Sequence, residues 1–413
     1  MDGSNIAFMI LATGMVLLMT PALAFFYGGL VRSKNALNTM MMSFAALAVV
    51  GVVWAMGAYS LAFAPGNAVI GGIRHVLLND VDLEAKGFIP HLLFMIYQGT
   101  FAVITAALVS GAIVERMRFP AYLTFISLWT VVVYAPVAHW VWGGGWLQTL
   151  GALDFAGGTV VHVNAGVAAL VAALVLGPRR DHGRQAFLPH NVPLVLLGTG
   201  LLWFGWLGFN GGSALAANNA AALAAVNTIL APMATASVWM LLDWYRTKRM
   251  TAVGVATGIV VGLVAITPAA GFVGPRAAMA IGAIAALPSY YGILWRSRTR
   301  LDDSLDVTPA HGLGGIVGAL LTGVFARAEW GGANGFLGGK PSQLWIQAVG
   351  VGATLLYSGA ASYVLLKAIG LVMRLRPSER EEAVGLDVWE HGEEAYGSGE
   401  GAILVLSDDG GDR

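Results

Sequence analysis

No cysteine occurs in the 413 residues, so neither disulfides nor thiolate metal sites are available to this chain. Charge is scarce: 11% of residues are Asp, Glu, Lys or Arg and 57% are hydrophobic, where soluble domains carry about 25% charged residues. Acids and bases balance at 23 each, and a net charge of zero excludes a basic footprint for nucleic acid. The first apolar run, about Ile6 to Leu30, lacks a basic stretch ahead of it and is long enough to span a bilayer. It therefore reads as a membrane helix rather than a cleavable signal. Glycine, by contrast, is abundant at 55 residues. Most of these glycines lie inside apolar runs, the composition of closely packed membrane helices.

Eleven runs of roughly 20 apolar residues, the length a bilayer core requires, lie near 5–31, 38–64, 89–114, 120–140, 155–176, 192–210, 216–242, 251–267, 276–295, 309–326 and 343–373. The expected fold class is an all-α polytopic membrane protein. Of the 23 lysines and arginines, Arg74, Lys86, Arg276, Arg327 and Lys340 fall on one side of the membrane and the other eighteen on the opposite side. The positive-inside bias makes the richer side cytoplasmic, which puts the N-terminus outside and the C-terminus inside a plasma (inner) membrane. Two tandem five-helix halves, about 1–180 and 190–330, then have opposite topology, because an odd number of spans returns the chain to the other side. Inverted repeats are typical of transport folds, with the substrate path at the repeat interface. A long eleventh helix, about 343–373, completes a membrane domain over 1–373 and leaves 374–413 as a cytoplasmic tail. The composition of 397–413 suggests a flexible end, although "AILVL" within it could dock or form a short strand.

Most of the eight histidines fall in connections or the tail. His75 and His91 border the loop after the second run, His182 and His190 lie in an inner loop, and His391 lies in the tail. His139, in "YAPVAHWVWGGGW", is expected at the outer interface. His162, in "DFAGGTVVHVNAGVAALV", and His311, in "AHGLGGIVGALLTG", instead lie deep in the fifth and tenth runs, which are counterparts in the repeat. Each follows an acid at the start of its helix, Asp154 and Asp306, and each is surrounded by Gly and Ala. A lone buried histidine reads as a hydrogen-bonded packing residue. Two at corresponding positions point to function, the default for ionisable residues inside a membrane. No ring of carboxylates or carbonyls of the kind that lines an ion path is visible. Paired imidazoles in an uncharged passage suit a small, mostly neutral species, since imidazole donates at one nitrogen, accepts at the other and titrates near neutrality.

Aromatic residues form a second group. Tyr97 and Phe101 lie one turn apart near the outer end of the third helix, Trp142 ends the fourth, and Trp206, Phe209 and Ser213 lie toward the outer end of the sixth. One reading is an interfacial aromatic belt, which suits Trp146 and Trp203. The other is a convergence of rings and one hydroxyl that binds a small cation, each face contributing about 0.5–2 kcal/mol.

From "ALAFFYGGLVRSKN" (22–35) to "GLDVWEHGEEAY" (385–396) the chain resembles ammonium transporters of the Amt/Rh superfamily, of bacterial or archaeal Amt type. "DFAGGTVVHVNAGVAALVAALVLGPRR", "PHNVPLVLLGTGLLWFGWLGFNGGSA" and "HGLGGIVGAL" follow in the expected order. The resemblance implies that Phe101, Trp142 and Ser213 form an external ammonium-binding site. It makes Phe101 and Phe209 a stacked gate, His162 and His311 twin pore histidines, and Asp154 the acid that shapes the outer site. It further implies an eleven-helix protomer with its own pore, assembled as a homotrimer, and a PII-type regulatory protein at the cytoplasmic face. The stretch "DVTPAHG" departs from the pattern, and Pro309 is expected to alter the start of the tenth helix.

Residues and resemblance lead to one expected mechanism. Ammonium or methylammonium is captured outside, gives up its proton because dehydrating an intact cation is costly, and passes as ammonia or methylamine through the twin-histidine pore. Whether the proton crosses as well is open. Asp154 is expected to act as a helix N-cap with an electrostatic benefit rather than as a direct ligand. Neither a cofactor nor a metal is expected, and no enzyme activity. Two other readings stand beside this one. An ammonium sensor would use the same pore and signal through its tail, and a membrane enzyme would ligate haem through His162 and His311.

Overall fold

A computed structural model describes residues 2–397, so the reading of 398–413 as a flexible, docking or strand-forming end lies outside the described residues. Eleven helices correspond to the eleven apolar runs. They are α1 (Gly3–Leu30), α2 (Ser33–Phe63), α3 (His91–Ala112), α4 (Phe119–Leu150), α5 (Gly158–Leu176), α6 (Val192–Gly212), α7 (Asn219–Thr247), α8 (Ala252–Ile266), α9 (Pro275–Arg296), α10 (Thr308–Phe325) and α11 (Ser342–Val372). All but α8 are long and apolar enough to cross a membrane unaided. The 15 residues of α8 cover about 22 Å at ~1.5 Å per residue, and the buried segment 267–273 completes the crossing. Near the end of α4, Gly143, Gly144 and Gly145 interrupt the helix just after Trp142. A two-stranded hairpin, β1 (Ala85–Lys86) and β2 (Ile89–Pro90), precedes α3, and its turn holds Gly87 at φ +67°, a left-handed conformation that suits glycine. Because the number of spans is odd, the start of α1 and the end of α11 lie on opposite sides, here called the N-face and the C-face.

Helices α1–α5 and α6–α10 form two inverted halves wrapped by α11. Their leading helices, α1 and α6, meet along most of their length over small residues. A Cβ on Gly198 would lie 2.4 Å from the Phe26 nitrogen, one on Gly205 2.3 Å from Met19, and one on Gly208 2.6 Å from Met15. Backbones at such separations make the dispersion contacts that hold helices together where lipid offers no hydrophobic drive. The trailing helices α5 and α10 repeat this at the centre of the molecule. Gly166, four residues past His162, faces the Gly312 backbone one residue past His311. Gly315, four residues past His311, faces the Val163 nitrogen one residue past His162.

Both α5 and α10 begin with a wide turn, Gly158–Val163 and Thr308–Leu313. Pro309 therefore starts a helix of the same shape as its counterpart, and the expected distortion is shared by the two repeats rather than imposed by proline. The acid at the start of α10 corrects the reading from sequence. Asp303, eight residues before His311, occupies the place that Asp154 holds eight residues before His162. Its carboxylate accepts from the Val307 nitrogen at 3.1 Å and the Thr308 nitrogen at 2.6 Å. Asp306 is the counterpart of Gly157: both take a left-handed φ, +61° and +112°, and Asp306 turns to Arg296 at 2.5 Å. Register alone separates the two acids.

On the C-face, a buried ion network ties the loops together. Glu115 accepts from Arg32 and Arg179, and Arg179 also grips both oxygens of Asp302 at 2.9 Å. Burial alone would push the Asp302 carboxyl up, but the bonds from Arg179 and the charge of Arg116 hold it well below the usual carboxylate range. The segment after α11 packs against the same face. Asp387 accepts from the Leu37 and Asn38 nitrogens near the start of α2, and Glu382 pairs with Arg376 at 2.8 Å.

Candidate functional site

Three cavities follow one another through the interface of the two halves. The first, about 170 Å³ on the N-face, is lined by Phe63, Phe94, Gln98, Phe101, Trp142 and Ser213, among others. Trp142 stands edge-on to Phe101, with ring centres 6.2 Å apart and planes at 88°. Its Nε1 donates to the Asp154 carbonyl at 2.9 Å, which fixes the indole. The Ser213 hydroxyl donates to the Phe209 carbonyl at 2.8 Å and lies 3.4 Å from the Tyr97 hydroxyl, so its oxygen still offers acceptor capacity to the cavity. Gln98 Oε1 is buried with no partner among the described residues. Two acceptor oxygens and several ring faces thus surround a space of small-molecule size.

Asp154 lies outside that lining. Its two oxygens accept from the backbone nitrogens of Gly157, Gly158, Thr159 and Val160 at 2.6–3.1 Å. The carboxylate is a fully occupied cap for α5, and its influence on the cavity runs through the bond from its own carbonyl to Trp142.

Phe101 and Phe209 close the floor of the first cavity, stacked with centres 4.1 Å apart and planes at 19°. Below them lies a passage with only about 10 Å³ of free space, roughly one water's worth of room. Its walls are apolar side chains such as Leu23, Ile104 and Val161, together with Trp206 and the two histidines. His162 and His311 are bonded to each other, Nδ1 to Nδ1, at 3.3 Å. A bond between two like nitrogens holds a single hydrogen, so one ring donates and the other accepts. One Nε2 then bears a hydrogen and the other a lone pair. His162 also stacks on Trp206, whose Nε1 donates to Thr267. This contact sets the ring plane, while the α5–α10 crossing sets the distance between the rings. With the rings in direct contact and so little free space, no macrocycle fits between them, which removes the haem reading.

The third cavity, about 740 Å³, opens on the C-face and shares Phe26, Val260 and His311 with the passage above. Arg296 and Asp306 stand in its wall. Burial pushes the Asp306 carboxyl up to about 7 despite the Arg296 guanidinium beside it.

The residues that the resemblance assigned to the site lie along this path or behind it: Phe101, Trp142 and Ser213 at the first cavity, Phe209 beneath Phe101, His162 and His311 in the passage, Asp154 behind Trp142. Sequence reasoning missed Gln98, whose only signal was its place one turn before Phe101 in an apolar helix. His139, near the N-face end of α4, is 1% exposed. That ring bridges the Ala62 and Asn67 carbonyls at 2.9 and 2.8 Å.

An inverted pair of five-helix repeats, with a narrow apolar passage at their interface, defines a membrane transport protein. The chain belongs to the Ammonium Transporter Family, whose model matches residues 7–396. An ammonium transporter of Aquifex aeolicus is 51% identical over 403 residues, covering 96% of this chain and 94% of its own. One of Bacillus subtilis is 47% identical over 402 residues, covering 96% and 99%. The crystal structure of Saccharomyces cerevisiae Mep2 superposes with a TM-score of 0.89 at 36% identity, over 98% of this chain and 93% of that one.

Proposed function

We propose that this protein moves ammonium across the membrane by capturing the cation at the N-face cavity and passing ammonia between the two histidines. The observation that carries this reading is the abrupt change in polarity at the stacked Phe101–Phe209 pair. Above it, ring faces, the Ser213 oxygen and the orphaned Gln98 oxygen suit a small cation that donates hydrogen bonds. Below it, a passage of about 10 Å³ offers two imidazoles and no charge, and an intact cation would shed its hydration there at high cost. Ammonium, unlike potassium, escapes that cost by releasing its proton to water at the N-face cavity, whether that proton stays outside or crosses by a separate route. Ammonia both donates and accepts, which matches the one Nε2–H and the one Nε2 lone pair of the pair. Phe101, Trp142 and Ser213 then bind the substrate, Phe101 and Phe209 gate it, and Asp154 positions the Trp142 indole. Uptake of labelled methylammonium in a host lacking its own ammonium transport tests the reading. Uptake that ammonium competes away supports it, and none in a correctly inserted protein overturns it.

The eighteen-to-five division of basic residues supports an N-face outside and a C-face in the cytoplasm of a plasma membrane. On this reading residues 1–373 form the membrane domain, and the segment 374–397, held by Asp387 and Glu382, presents the cytoplasmic surface on which a PII-type regulator would dock. Exposed apolar side chains on α1, α6, α7 and α9, among them Leu11, Phe204, Leu241 and Tyr291, are compatible with lipid contact and with assembly as a homotrimer. Labelling of 374–397 from the periplasmic side would reverse the orientation.

A further inference from the structure

One cation beside the N-face cavity has no part in the path. Lys86, at the end of β1, places its ammonium 3.1 Å from the Tyr59 hydroxyl and 3.3 Å from His91 Nε2. The same nitrogen lies 4.8 Å from the centre of the Phe94 ring, 5.4 Å from Tyr59 and 5.7 Å from Phe63. Phe63 and Phe94 are also walls of the N-face cavity. A tethered primary ammonium is thus held by rings, a hydroxyl and an imidazole, the chemistry that suits the permeating cation, and it shares two of its rings with the capture cavity.

We propose that Lys86 is an affinity-setting residue: its fixed positive charge, held behind the Phe63–Phe94 wall, weakens capture of the cation at the N-face cavity. This rests on the reading of that cavity as the capture site. Two effects act in the same direction. The Lys86 charge repels an incoming cation through a thin protein wall that screens less than bulk water. It also draws on the negative faces of two rings that would otherwise serve the substrate alone.

The groups facing Lys86 do not cancel its charge. From α2 comes Tyr59, and from α3 His91, which accepts rather than neutralises. The connecting segment supplies His75, packed on both rings, and the acids Asp80, Asp82 and Glu84. Asp80 is engaged by Arg74 at 3.0 Å, and no ion pair joins Lys86 to any described acid. Burial pulls the Lys86 ammonium down to about 8, so the charge is present at neutral pH and is lost as pH rises through that value. Capture should therefore tighten in mild alkali.

The test uses the full-length protein in liposomes with equal pH on both sides, and measures methylammonium KM and maximal rate at about pH 6.5 and about pH 9. The probe is about as basic as a lysine side chain and stays cationic at both. At the lower pH, Lys86→Met and Lys86→Gln should each lower KM about threefold, ~0.7 kcal/mol at about 1.4 kcal/mol per factor of ten, with the maximal rate within about twofold. At the higher pH, wild type and both variants should converge. Lys86→Arg, which keeps its charge, should stay at the high KM throughout. Equal KM for wild type, Lys86→Met and Lys86→Gln at the lower pH, with Trp142→Leu still shifting KM, overturns the role of Lys86 and leaves the capture site standing. If Trp142→Leu has no effect either, the capture site and the role of Lys86 fall together.

Discussion

Replacing Gly166 by alanine adds one methyl group at the α5–α10 crossing and should uncouple the two histidines without altering either side chain. The added Cβ would lie 2.3 Å from Gly312 Cα, 2.5 Å from the Gly312 nitrogen and 3.3 Å from the His311 carbonyl carbon. Comfortable carbon contacts need about 3.5–4.0 Å, and both neighbours are backbone, so the helices must part by on the order of 1 Å. The Nδ1–Nδ1 bond is 3.3 Å long, at the far edge of hydrogen-bond range, and that displacement breaks it. Overpacking of this kind costs about 1–3 kcal/mol and the lost bond about 1 kcal/mol. Alanine's helical advantage over glycine, about 0.5–1 kcal/mol, offsets only part. The variant should melt below wild type in detergent and lose ammonium flux in liposomes. Gly14→Ala, where no atom lies within 4 Å of the new Cβ, should be neutral or slightly stabilising. If Gly166→Ala melts at or above wild type and conducts normally, the crossing does not set the histidine geometry.

Asp154→Ala would strip the acceptors from four backbone nitrogens at the start of α5 and should cost roughly 2–4 kcal/mol, read as a drop in melting temperature; looser support of Trp142 should then raise KM more than it lowers maximal rate. Asp302→Asn leaves Arg116 without its buried counter-charge and Arg179 with Glu115 alone, and a loss of about 3–5 kcal/mol is expected. Because the Asp302 carboxyl is depressed in the folded protein, its contribution is present above the ordinary aspartate range and fades only in strong acid. Melting curves of wild type and Asp302→Asn should therefore stay equally far apart between about pH 5 and about pH 8 and draw together below that.

The path was legible in sequence where local composition encodes it. Stretches of about 20 apolar residues with little or no charge define α1 to α11, and the scarcity of ionisable residues inside them made His162 and His311 conspicuous. Gly166 and Gly315 looked merely small, since only the crossing geometry gives them a role. Asp303 and Asp306 sit three residues apart, and only the left-handed turn at Asp306 decides which of them caps α10. His139 ends a helix in the sequence, and it is the carbonyls of Ala62, in the last turn of α2, and of Asn67, in the loop after it, that enclose its ring. Gln98 and Lys86 matter through what surrounds them in space, and no spacing along the chain announces it.

The central claim is that a single shared hydrogen between two uncharged imidazoles lets ammonia pass and stops potassium. The measurement that tests it is ammonium flux and potassium conductance, taken together in liposomes, for wild type, His162→Leu and His311→Leu, each shown to fold by its melting curve. Both variants should remain folded and either lose ammonium flux or begin to conduct potassium. If both transport ammonium at the wild-type rate and still exclude potassium, the histidines are packing residues and the account is wrong.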